Sequence, residues 1–137
     1  MQATTNVTLP RSSTDKKLWT ARVLGGLILL FLAFDAVGKL LRLAPVVEGS
    51  ARVGFAEPTL VPLGVVLLVS TVLYAVPCTA VLGAVLLTAW LGGATATHVR
   101  MGEPFWMPVL FGVIVWGCLY LRDERLRALL PGVRTNR

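Results

Sequence analysis

The chain has 137 residues and a mass of 14.7 kDa, the size of one domain. Apolar residues make up 55% and charged residues 15%, with a mean hydropathy of +0.75. A soluble domain carries about 25% charge, so too little charge remains here for a water-facing surface, and extensive disorder is excluded because disorder needs low hydrophobicity. The net charge of +6 comes from Lys and Arg crowded towards the two ends, which marks membrane topology and the lipid bilayer as partner, with no nucleic acid implied.

Residues 1–17 read as a polar cytoplasmic tail that includes Pro10 and Arg11, with Thr14 or Asp15 available to cap the helix that follows. The first apolar run is short: between Arg22 and Asp35 a helix reaches only about 18 Å, against a hydrocarbon thickness of ~30 Å. The span therefore extends over residues 19–39, with Arg22 and Lys39 snorkelling at its ends and Asp35 one turn inside the membrane edge. Residues 58–97 contain no charged side chain, and a single helix of that length would be about twice the bilayer. Pro77 removes an amide donor near the middle, which divides the stretch into spans 59–76 and 78–97 joined by a tight turn. A fourth span covers residues 104–121. Residues 123–137 read as a basic amphipathic tail, with Leu126, Leu129 and Leu130 at i, i+3, i+4 among arginines and Pro131-Gly132 as its stop.

These elements predict an all-α fold: a four-helix transmembrane bundle over residues 18–122, up-down-up-down, with both termini on one side. That side carries Arg11, Lys16, Lys17, Arg22, Arg122, Arg125, Arg127, Arg134 and Arg137, and the other carries Lys39, Arg42, Arg52 and Arg100. Nine against four puts both termini in the cytoplasm of a multi-pass protein of the cell (inner) membrane. A secretory signal over residues 1–36, with Ala33-Phe34-Asp35-Ala36 as cleavage pattern, is the competing reading and would leave three spans.

This topology gathers the polar residues of the non-terminal regions at the outer membrane face. Asp35 and Lys39 lie at i, i+4, Glu57 opens the second span, His98 and Arg100 close the third, and Glu103 precedes the fourth. Asp35, Lys39, Glu57, His98 and Arg100 form the candidate cluster, either for a ligand or as a purely structural network, since ionisable groups at membrane depth need a partner or a function. Gly38 beside the pair permits a neighbouring helix to approach. Gly92 and Ala96, and Gly93 and Thr97, repeat small residues at four-residue spacing, which predicts a helix-packing face.

No metal site is expected, with one histidine and no cysteine pair at ligand spacing. Cys78 and Cys118 are single, 40 residues apart, and read as packing residues rather than a redox pair. The chain has no phosphate-binding glycine loop, no nucleophile elbow and no two-histidine haem arrangement. Catalytic residues are therefore not assigned, and a catalyst acting alone is the least favoured reading.

The run Val81-Leu82-Gly83-Ala84-Val85-Leu86-Leu87-Thr88-Ala89-Trp90-Leu91-Gly92-Gly93-Ala94-Thr95-Ala96-Thr97-His98-Val99-Arg100, preceded by Tyr74-Ala75-Val76-Pro77-Cys78-Thr79, resembles the third-helix signature of the DoxX-like integral membrane proteins. Phe34-Asp35-Ala36-Val37-Gly38-Lys39-Leu40 is similar to the end of their first helix. Cys78 departs from a position that is often basic in such proteins. The resemblance covers residues 18–121 and implies a four-helix membrane bundle. It also implies a connection to membrane oxidoreductases of the thiosulfate:quinone type and to assembly roles. Two functions follow as expectations. In one, the outer polar cluster binds a lipid-soluble, quinone-like molecule or a redox partner subunit. In the other, the chain is a non-catalytic accessory or assembly subunit of a membrane complex. The sequence itself shows no cofactor, and quinone is the candidate.

Overall fold

The computed structural model of the chain describes residues 13–129, and the side chains of residues 16–129. Among them are six helices: α1 (Ser13–Leu40), α2 (Ala44–Arg52), α3 (Leu60–Ala75), α4 (Ala80–Met101), α5 (Trp106–Arg122) and α6 (Glu124–Leu129), with a 3-10 turn over Glu57–Thr59 ahead of α3. Pro10 and Arg11 at one end, and Leu130, Pro131, Gly132, Arg134 and Arg137 at the other, lie outside the described residues.

α1 is already helical at Ser13, within the stretch expected as a tail, so Thr14 and Asp15 belong to the helix instead of standing ahead of it. Lys16 and Lys17 favour helix and nothing in the run stops it. The helix closes after Leu40 on a left-handed residue: Arg42 has φ 52°, its amide donates to the Lys39 carbonyl at 3.3 Å, and the Leu43 amide donates to the Gly38 carbonyl at 2.9 Å. This is a Schellman closure with arginine in the place glycine usually takes. It turns the chain into α2, which has proline in its first turn. The segment between the first two long helices is thus a helix folded back on α1, not a plain connection. Gly38 makes room for it, because a Cβ there would lie 2.7 Å from Val46 Cγ2.

Pro77 ends α3 as expected from its missing amide donor. The Thr79 hydroxyl donates to the Leu73 carbonyl at 2.8 Å across the break. α4 continues beyond Thr97 to Met101 and stops at Gly102, whose φ of 73° suits glycine. The Glu103 amide then reaches the His98 carbonyl at 2.9 Å. α5 starts at Trp106 and has 17 residues, fewer than the span expected from Pro104. Asp123 Oδ1 accepts from the amides of Arg125 at 2.9 Å and Leu126 at 3.3 Å, an N-cap that starts α6. The leucine stripe expected here divides: Leu126 is buried in the core while Leu129 is 80% exposed, since the capped turn folds α6 back against α5.

α1 and α4 each pack against both α3 and α5, so the four long helices close a ring. Leu32, Leu67, Leu87 and Leu119, one from each helix, meet in a shared core with Ala36 and Ala84. α1, α3 and α4 are long and apolar enough to cross a membrane, and α5 is a shorter apolar helix. Only 33%, 33% and 28% of an apolar 18-residue stretch in each of those three helices is buried. Leu27, Leu30 and Phe34 on α1, and Val66, Val69 and Val72 on α3, face outward. Each such side chain left in water forgoes about 2 kcal/mol of transfer free energy, so this outer surface requires lipid.

Candidate functional site

The last turns of α1 carry the ion pair. Lys39 Nζ lies 2.5 Å from both carboxylate oxygens of Asp35. Lys39 is only 8% exposed. Its ammonium stands 5.8 Å from the centroid of the Trp90 ring on α4, within cation–π range. The lysine therefore does not snorkel to water as its place near a helix end led us to expect. Asp35 neutralises it from one side and the aromatic face shields it from another. Gly64 lets α3 close over the same turn: a Cβ there would sit 3.0 Å from the Ala36 carbonyl oxygen and 3.0 Å from Lys39 Cβ.

Beside the pair is a cavity of about 390 Å³. α1 contributes Phe31, Asp35 and Lys39 to its lining, α4 contributes Trp90 and His98, α5 contributes Phe111, and α2 contributes Ser50. Phe31 and Phe111 meet edge to face with centroids 5.0 Å apart. His98 Nδ1 is 2.8 Å from the Ala94 carbonyl. A carbonyl can only accept, so Nδ1 bears the proton and Nε2 is left uncommitted. Ser50 is 7% exposed and has no hydrogen-bond partner among the described residues.

The five residues expected to converge do not all do so. Asp35, Lys39 and His98 line one cavity. Glu57 stands outside its lining, paired with Arg42 at 3.5 Å on the surface. Arg100 is exposed and lies outside it too, near Gly54. The left-handed turn at Arg42 leads the chain into α2 between α1 and the start of α3, and α2 supplies that wall where Glu57 was expected. The small-residue stripe also has another place. A Cβ at Gly92 or Gly93 would meet nothing within 4 Å, and Ala96 is exposed, so that face packs against no helix among the described residues. The close approach is at Gly83 instead, where a Cβ would overlap the Tyr74 backbone.

Ser50 and the α2 wall are absent from the sequence-based expectation. A signal for them exists: Pro45 sits in the first turn of a helix, and Val46, Gly49, Ser50 and Val53 follow at i, i+3, i+4, i+7. Away from the cavity, Tyr74 Oη donates to the Val115 carbonyl at 2.8 Å. The Trp116 indole donates to Thr88 Oγ1 at 2.7 Å. Cys118 is buried and Cys78 exposed, both as free thiols.

Helices with an outward apolar surface and one largely apolar cavity holding an internal ion pair define a small helical membrane protein. The profile of the DoxX-like family matches residues 23–118, well over half of the chain, and the chain belongs to that family. No curated protein and no solved structure matches it.

Proposed function

We propose that the chain crosses the cell (inner) membrane four times as an up-down-up-down bundle, with both termini in the cytoplasm, and binds a lipid-soluble, quinone-like molecule in the cavity beneath α2. The observation that carries this reading is the lining. Aromatic walls from Phe31, Trp90 and Phe111 surround the Ser50 hydroxyl, which can donate, and His98 Nε2, which accepts and so suits a quinol hydroxyl rather than a quinone carbonyl. Apolar pockets with a few polar groups that fix orientation suit small ligands. Asp35 and Lys39 cancel one another, so the site favours a neutral molecule over an ion. A quinone ring offers flat apolar faces to the aromatic side chains and two carbonyl acceptors, one of which the Ser50 hydroxyl can serve as donor, with the Lys39 ammonium near the other wall. A bound quinone supplies electron-accepting chemistry, and the residues of this chain hold and orient it. The chain is then a binding protein, and a membrane redox subunit is the partner such a ligand implies.

A second reading makes it a non-catalytic accessory or assembly subunit. The observation in its favour is that Lys39 is already satisfied by Asp35 and Trp90, as a purely structural pair would be. Titration with a short-chain benzoquinone in phosphatidylcholine nanodiscs separates the two. Binding in the cavity gives saturable quenching of Trp90 fluorescence that disappears in Trp90→Phe and in the cavity-filling Ala94→Leu. Quenching that rises linearly with quinone and is equal in all three proteins leaves the accessory reading.

A further inference from the structure

A second groove lies at the opposite end of the assembly, between α1 and α5. Its volume is about 360 Å³. Ala21 and Leu24 of α1 and Ile114, Gly117 and Leu121 of α5 form an apolar trough, and Lys16 and Lys17 stand at one end of it. From Lys17 to Leu24 a helix advances about 10 Å, enough for part of an acyl chain. The trough is open over Gly117, where a Cβ would meet nothing within 4 Å. Both lysines are exposed, and neither is ion-paired among the described side chains. They lie near the N-terminus of α1, where a cation opposes the helix dipole, so their charge does not serve the helix itself. An anion at that place is attracted by the lysines and the dipole together. Trp19, 69% exposed, stands next to them and marks the headgroup level.

We infer that this groove binds one anionic phospholipid, with an acyl chain along the α1–α5 trough and the phosphate between Lys16 and Lys17. Basic residues at the mouth of an apolar cleft between membrane helices recognise anionic headgroups in this way. A second copy of the chain is a poorer occupant, because a symmetric contact would bring the same lysines against each other.

The test is native mass spectrometry of the full chain in detergent with equimolar phosphatidylglycerol and phosphatidylcholine. The expected result is one retained phosphatidylglycerol per chain, preferred over phosphatidylcholine by about tenfold. Lys16→Gln with Lys17→Gln should bring the two lipids to parity at unchanged helix content, since both positions are exposed. Gly117→Leu should reduce retention of both lipids by filling the trough, and Arg52→Gln, far from it, should change nothing. Equal retention of the two lipids by the unsubstituted chain overturns the proposal, as does a preference that survives loss of both lysines or falls equally with Arg52→Gln. A protein dimer that dissociates in Gly117→Leu would give the groove to a second copy and overturn it as well.

Discussion

Lys39 and Asp35 illustrate how a charge is kept at membrane depth. Removing one partner strands the other, whereas removing both charges leaves no unpaired ion. Lys39→Met is therefore expected to lower stability by about 2 kcal/mol, less than a fully buried pair would lose, because the Asp35 side chain keeps 29% exposure. Asp35→Asn with Lys39→Met should recover most of that loss, read as thermal midpoints in detergent through a double-mutant cycle. A loss in the double variant equal to the sum of the losses in Lys39→Met and Asp35→Asn would mean that the pair contributes no coupling. Two glycines of α4 give a second contrast. Gly83→Ala places a methyl group on the Tyr74 backbone and should cost about 3 kcal/mol. Gly93→Leu enters open space and should leave the midpoint unchanged within about 0.5 kcal/mol. Residue spacing alone does not distinguish these positions: glycine four residues from a small residue occurs on a packed face and on an outward face alike, and only the placement of α3 decides which is which.

At the scale of elements, α1, α3, α4 and α5 are legible in the sequence because hydrocarbon thickness sets the length an apolar span must reach, and because a charge-free run twice that length has to break, which Pro77 in its middle favours. The start of α1 is less so, since a polar turn continues a helix as readily as it precedes one. α2 is hidden for a physical reason. It has nine residues, too few to be helical alone, and its stability comes from the contact of Val46 over Gly38. Left-handed residues, Arg42 and Gly54, flank it and allow it to be set at an angle over the cavity. Among the described residues α2 packs mainly on α1 and the turn before α3, so its amides should exchange faster than those of α3. Saturation with a short-chain quinone should slow exchange over residues 46–53 by about tenfold and leave α3 as it was. Exchange in α2 that ignores the ligand would detach this helix from the site.

The whole molecule is a helical ring whose two ends differ chemically. One end holds the Asp35–Lys39 pair, the cavity and α2; the other holds Lys16, Lys17 and the capped α6. The sequence places Asp35, Lys39 and His98 at one end because they fall at the C-terminal ends of the first and third spans, which run in the same direction. It does not reveal that Glu57 and Arg100 turn away, because that depends on the backbone conformation at Arg42 and on how far α4 runs before Gly102. Reporter fusions after Arg52 and after Arg137 check the orientation: the first should be active outside and the second inside, as the nine-to-four asymmetry of basic residues requires. Outside activity for the fusion after Arg137 would reverse the topology. The central claim, that the cavity holds a lipid-soluble ligand, is tested most directly by mass spectrometry of organic extracts of the chain purified from its own membrane, beside Ala94→Leu and Ser50→Ala purified in the same way. The account expects a quinone-like molecule approaching one per chain in the unsubstituted protein, about tenfold less in Ala94→Leu, and a partial loss in Ser50→Ala at an unchanged thermal midpoint. The same molecule at the same amount in all three, or no such molecule in any, would contradict it.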